Sequence, residues 1–129
     1  MAYSYGKTSS ARLATCHRDL QRLCNELIKH RDVAILSGKR GEKEQNDLVL
    51  AQKSELVYPL SNHNTEPLST AVDMAPYHTY QPHIHWENEE EFLEFSGFVK
   101  GVAAVMGIDI KWGGDWESFT DMPHWELVT

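Results

Sequence analysis

The sequence predicts an α+β domain. Apolar residues recur at helical spacing in an early and a late stretch, and short strand-like runs lie between and after them. The strands follow turns and irregular crossovers without a regular βαβ rhythm. The chain has 129 residues, 41% hydrophobic and 24% charged, which suits one domain with a single hydrophobic core.

Residues 1–14 read as a loosely ordered lead-in and 15–129 as the domain. From Thr15, a candidate N-cap, Leu20, Leu23, Cys24, Leu27 and Ile28 follow helical spacing. Val33–Leu36 has the length of a buried strand, and Gly38–Gly41 makes a turn. Glu42 to about Gln52 is polar enough for a surface helix. Tyr58–Thr70, with Pro59, Asn62, Asn64 and Pro67, is loop. Ala71–Ala75 reads as a second strand stopped by Pro76, and Tyr77–Glu87 as an irregular crossover. Asn88 with Glu91 marks a helix start. Phe92, Phe95, Val99, Val102 and Met106 form its apolar face, and Gly107 ends it in the αL conformation. Ile108–Trp112 alternates as a half-buried strand does, Gly113-Gly114 turns the chain, and His124–Val128 is the last strand.

Several function classes are disfavoured. No apolar run approaches the roughly 18 residues of a membrane-spanning helix. Met1–Ser10 has no apolar core after its lysine, as a secretory signal would, so a cytoplasmic product is expected. The net charge is −7 and no Lys/Arg-rich run occurs, so nucleic acid is not an expected partner. Cys16 and Cys24 fall in one apparent helix. Eight residues at about 1.5 Å each put them ~12 Å apart, too far for a disulfide, so both read as reduced packing residues.

A catalytic zinc needs three protein ligands and an open position. His63, Asp73 and His124 are candidates, although spacing alone does not choose among seven histidines. His83-Ile-His85 would place two imidazoles on one side of an extended segment, with His78 near in sequence, and so forms a rival set. The run Glu87, Glu89, Glu90, Glu91 reads as a helix start that favours negative charge, with a calcium-like site as the lesser reading. Trp112, Trp116 and Trp125 with Phe119 read as packing beside the strands, with room for one to line a cleft.

Three segments are similar to a known pattern. Ser61-Asn-His63, Ala71-Val-Asp73 and Asp121-Met-Pro-His124 resemble the Ser-x-His, Ala-x-Asp and Asp/Glu-x-x-His signatures of the D-alanyl-D-alanine carboxypeptidase family of zinc peptidases. The resemblance is greatest to its L-alanyl-D-glutamate endopeptidase branch, which includes single-domain phage endolysins. It extends to Arg12-Leu13 and the first helix, Ser37-Gly-Lys-Arg40 with Gln45, the late helix and Trp112-Gly-Gly-Asp-Trp116.

The resemblance implies a fold shared with the Hedgehog signalling domain, its helices packed on a short, mainly antiparallel sheet that carries the zinc site. It implies that His63, Asp73 and His124 bind Zn2+, that Asp121 is the general base and that Arg40 polarises the scissile carbonyl. Ser61 and Gln45 match positions that order the site or the substrate. The implied activity is hydrolysis of the L-alanyl-D-glutamate bond of bacterial peptidoglycan by a monomer. The enzyme would be made in the cytoplasm of an infected host and act on the wall after release, lysing the cell. The alternatives are a D-alanyl-D-alanine carboxypeptidase or dipeptidase, and a catalytically silent zinc-binding module. Asp121 and Arg40 together favour catalysis. One departure is that nine residues separate His63 from Asp73, more than in compact members, so Asn64–Thr70 is expected to form a longer surface loop.

Overall fold

In the computed structural model, which describes residues 3–117 and 120–128, four strands form one sheet. They are β1 (Val33–Ser37), β2 (Ala71–Pro76), β3 (Ile110–Trp112) and β4 (His124–Leu127). Their order is β1-β2-β4-β3, and each neighbouring pair is antiparallel. The helices are α1 (Lys7–Leu13), α2 (Arg18–Leu27), α3 (Glu42–Leu50) and α4 (Glu89–Met106), with 3-10 turns at Asn62–Asn64 and Gly113–Asp115. This is the expected α+β architecture.

The core lies between one face of the sheet and the paired helices α2 and α4. Leu20, Leu23, Cys24 and Leu27 of α2 meet Phe95, Val99 and Ala103 of α4, with Ile35, Val72, Met74 and Trp125 beneath them. Strand β2 is buried along its whole length, as a central strand covered on both faces must be. Helix α4 forms where local chemistry asks for it. The Asn88 side chain accepts the Glu91 backbone N–H at 3.0 Å, and Gly107 at φ 72° turns the chain so that Ile108 N–H reaches the Ala103 carbonyl.

Three expectations are corrected. The stretch 1–14 is not a loose lead-in throughout, because Lys7–Leu13 is helical and Leu13 is buried. Its sequence is too polar to show helical periodicity, and tertiary bonds hold it. Ser9 Oγ accepts the Ile35 N–H at 3.0 Å, Arg12 Nη1 donates to the Ile35 carbonyl at 3.1 Å, and Tyr5 Oη donates to the Cys24 carbonyl at 2.7 Å. Secondly, α2 is capped by His17, whose Nδ1 accepts the Asp19 N–H, and not by Thr15. Thr15 instead accepts the Lys39 N–H and donates to the Arg12 carbonyl. Thirdly, Cys16 lies outside α2, in a bridge to Ser69. Both cysteines are nevertheless free and buried, and burial pushes the Cys16 thiol up to about 12, which keeps it unreactive.

The long loop after His63 is anchored at its far end. His17 N–H donates to the Ser69 carbonyl at 2.7 Å and Ser69 N–H to the Thr15 carbonyl at 2.9 Å, while Lys39 Nζ pairs with Glu66 at 2.6 Å. If α1 belongs to the cooperative fold, Leu13→Ala should destabilise the protein by about 2–5 kcal/mol in urea unfolding. A change within about 0.5 kcal/mol, typical of an uncoupled surface position, would return 1–14 to a loose lead-in.

Candidate metal centre

Alternation along β2 and β4 sorts their side chains onto two faces. Val72, Met74, Trp125 and Leu127 enter the core, and Asp73, His124 and Glu126 take the opposite face. Asp73 and His124 are direct cross-strand partners. His63 reaches the same place from the 3-10 turn. That turn is set by a reciprocal cap, in which Ser61 Oγ accepts the His63 N–H at 3.2 Å and Asn64 Oδ1 accepts the Ser61 N–H at 3.1 Å. The turn is tied to the loop after β1, since Arg40 N–H donates to the His63 carbonyl at 2.8 Å. A Cβ on Gly38 would collide with the Arg12 carbonyl and Thr15 Oγ1. Glycine here lets the Gly38 carbonyl approach His63 Nδ1 at 2.7 Å.

Three ligand atoms converge. His63 Nε2 lies 3.1 Å from Asp73 Oδ1 and 3.2 Å from His124 Nδ1, and the last two are 3.2 Å apart. Tetrahedral zinc with ligand bonds of about 2.0–2.1 Å places its ligand atoms about 3.3 Å apart, so this triangle fits the face of such a site. The outer nitrogens also fit. His63 Nδ1–H donates to Gly38, and His124 Nε2–H donates to Glu126 Oε1 at 2.8 Å. Each ring therefore aims its other nitrogen at the centre, as oriented metal ligands do.

Three acceptor atoms this close need a cation among them, and a proton or a metal can serve. Burial alone would lower the pKa of His124, but its hydrogen bonds to Asp73 and Glu126 raise it to about 9. Burial would raise the pKa of Asp73, but bonds from His124 and His63 outweigh it and hold the carboxyl well below the usual range. The bond from His124 lowers the pKa of Glu126. A divalent ion held by this triangle would take the place of the His124 proton, so its affinity should fall as the pH is lowered.

The second oxygen of Asp73 accepts Arg40 Nη2 at 2.7 Å. Arg40 is held further by Ser37 Oγ at 3.0 Å and Gln45 Oε1 at 3.3 Å. A bulge in β1 after Ile35 brings Ser37 opposite Asp73. Gln45 is fully buried, and its amide donates to Ser54 Oγ and the Leu56 carbonyl. It therefore orders Arg40 and the loop beyond, and cannot touch a substrate itself. Ser61 borders the cleft while capping the His63 turn.

Asp121 and His124 are the ends of one turn, with His124 N–H donating to the Asp121 carbonyl at 3.2 Å. Pro123 inside that turn keeps Asp121 out of the ladder, so both residues face the same cleft. Gly113 allows the turn to pack, because a Cβ there would strike the Asp121 carbonyl and the His124 Cβ. Burial, with Asp73 charge adding to it, raises the pKa of Asp121.

A family model described as phage L-alanyl-D-glutamate peptidase matches residues 1–128. The chain belongs to this family. It is 27% identical over 124 residues to the L-alanyl-D-glutamate peptidase of Escherichia phage T5, covering 94% of this chain and 87% of that protein. It is also 27% identical over 103 residues to the peptidoglycan L-alanyl-D-glutamate endopeptidase CwlK of Bacillus subtilis (strain 168), covering 75% of this chain and 61% of that one. The crystal structure of Serratia marcescens L-Ala D-Glu endopeptidase ChiX aligns with a TM-score of 0.79 and 25% identity, over 97% of this chain and 90% of that one.

In this member of the family the cleft holds about 260 Å³ and is walled by Arg40, Ser61, His63, Trp116, Asp121 and His124, with the 53–56 segment alongside. Trp112 and Trp125 are core residues stacked at 5.9 Å. Only Trp116 of the three reaches the cleft, its ring 4.8 Å from that of His124, and Phe119 lies outside the described residues. In the rival set, His83 stacks on Tyr77 at 5.0 Å instead of joining His78 and His85. The spacing of two on a strand puts Glu126 on the same face as His124, where its Oε1 accepts from the ring. Asn62 Nδ2 holds its other oxygen at 2.8 Å. As an orienting partner, Glu126→Gln should weaken zinc affinity by about 10–100-fold. Unchanged affinity in a competition titration with a chromogenic chelator would remove that role.

Proposed function

We propose that the chain is a zinc-dependent peptidoglycan endopeptidase that hydrolyses the L-alanyl-D-glutamate bond of the stem peptide. The triangle of His63 Nε2, Asp73 Oδ1 and His124 Nδ1 beside Arg40 and Asp121 carries this reading, and membership of a peptidase family supports it. His63, Asp73 and His124 hold the metal. Zinc, when bound, supplies a Lewis acid that makes water a nucleophile near neutral pH and polarises a peptide carbonyl.

The protein groups do the rest. Asp121, with its pKa raised by burial, accepts a proton from the attacking water and returns it to the departing D-glutamate nitrogen. The carbon–nitrogen bond breaks, leaving L-alanine with a carboxylate. Arg40 keeps one N–H each on Asp73, Ser37 and Gln45 and offers what is left of its fork to the oxygen that becomes negative. Gln45 and Ser37 fix that guanidinium, and Ser61 fixes His63.

Asp121→Asn should retain zinc while turnover falls by roughly 10²–10⁴. Near-normal turnover would end the assignment. Arg40→Ala should lose about 10²–10³ in rate at saturating zinc, and a metal titration should also show weaker binding because Asp73 loses its partner.

The enzyme serves lysis of an infected bacterium, acting on the wall after release from the cytoplasm. Cutting next to the glycan severs the cross-links carried by the rest of the stem peptide, whereas trimming terminal D-alanine leaves the wall intact. Mass spectrometry of digested peptidoglycan should therefore give glycan bearing lactyl-L-alanine and peptides beginning with D-glutamate. Free D-alanine as the sole product, without loss of wall turbidity, would favour a carboxypeptidase instead.

A further inference from the structure

A second group of ligating side chains lies where the crossover after β2 meets the first turn of α4. Its members are His78, His85 and Glu91, each offering one ligand atom within 4.8 Å of the others. His78 Nε2 lies 2.8 Å from Glu91 Oε2. The two imidazoles lie against each other, with centroids 4.0 Å apart and planes 12° apart. The crossover is shaped to hold them. His78 N–H donates to the His83 carbonyl at 2.7 Å and His83 Nδ1 to the His78 carbonyl at 2.7 Å, closing a small loop with His78 at its base.

One atom of this group is otherwise unexplained. Glu91 Oε1 is buried yet has no hydrogen-bond partner among the described residues. A buried carboxyl oxygen left without a partner is unfavourable. The nearest candidate, His85 Nδ1, is 4.0 Å away. That is too far for a hydrogen bond and wider than the about 3.3 Å between ligands of a tetrahedral zinc, so a bound metal would draw the two atoms together.

We propose that His78, His85 and Glu91 form a second divalent metal site, of the zinc class, that clips the crossover to α4. Two imidazoles and one carboxylate suit zinc, cobalt or nickel and not calcium or magnesium, which take oxygen ligands. Glu87, Glu89 and Glu90 are exposed, whereas Glu91 turns inward to the histidines, so the acidic run does not make a calcium site. The ligand side chains are 15–25% exposed, which leaves water room to complete the coordination. The site stands on its own residues and is independent of the catalytic reading.

Metal-stripped protein titrated with Zn2+ alone, with bound metal counted by atomic emission, tests this. Wild type should take up two equivalents, and His78→Ala/His85→Ala one. Glu91→Gln, which keeps the side chain's size, should also fall to one. His63→Ala should keep the second equivalent. Both crossover variants should still digest peptidoglycan at saturating zinc, which separates this site from the catalytic one. Amide exchange over residues 77–91 should slow as the second equivalent binds in wild type and not in Glu91→Gln. A single equivalent in wild type that His63→Ala loses, or two retained in both crossover variants, would overturn the proposal.

Discussion

The antiparallel pairing of β2 with β4 is the constraint on which the rest depends. Asp73 stands opposite His124, and Val72 opposite Trp125. With a period of two, one register therefore decides both the packing of the core and the meeting of the ligands. A one-residue slip of β4 would turn His124 into the α2–α4 layer and expose Trp125 to the cleft. Burial of Trp125, Val72 and Met74 thus stabilises the same register that aligns the ligand atoms. The folding free energy holds Asp73 and His124 together, while the capped turn brings His63 to them.

Asp73 joins two chains of buried polar contacts. One runs from the Gly38 carbonyl through His63 to the ligand triangle, then through His124 and Glu126 to Asn62. The other runs from Asp73 through Arg40 and Gln45 to Ser54 and the Leu56 carbonyl. Both end in segments that wall the cleft. A carboxylate so deeply buried is tolerable because each of its oxygens meets a cationic or hydrogen-bonding partner. The same contacts fix the groups in advance of reaction, which is what electrostatic catalysis requires.

Sequence legibility followed how local the cause was. Asn88 and Gly107 bound α4 through their own side chain and backbone, and both were readable. His63, Asp73 and His124, which the motifs single out, meet in the structure because strand and turn position each of them directly. Helix α1 was not, since its hold comes from Ile35 and Cys24, distant in sequence. The first cap moved from Thr15 to His17 for a related reason, because Thr15 is taken by Lys39. Strand β3 begins at Ile110 instead of Ile108 because the Ile108 N–H closes the end of α4. Gln45 sits in a helix that is otherwise polar, and nothing in that pattern marks it as the buried residue holding Arg40.

The same division explains where the chain has room to vary. His63, Asp73 and His124 sit on a doubly capped turn, on β2 and on β4, all fixed by the sheet or by local hydrogen bonds. The lengthened segment before β2 and the crossover after it hang from the two ends of that strand, outside the ladder that aligns Asp73. The first is fastened by Ser69 to Thr15 and His17, so added length need not disturb His63. The second is fastened to α4 through His78 and Glu91. Insertion at either end changes the surroundings of the cleft while the strand between keeps its register. A sheet with polar side chains gathered on one face and core on the other can therefore accept new loops without moving the Asp73–His124 pair.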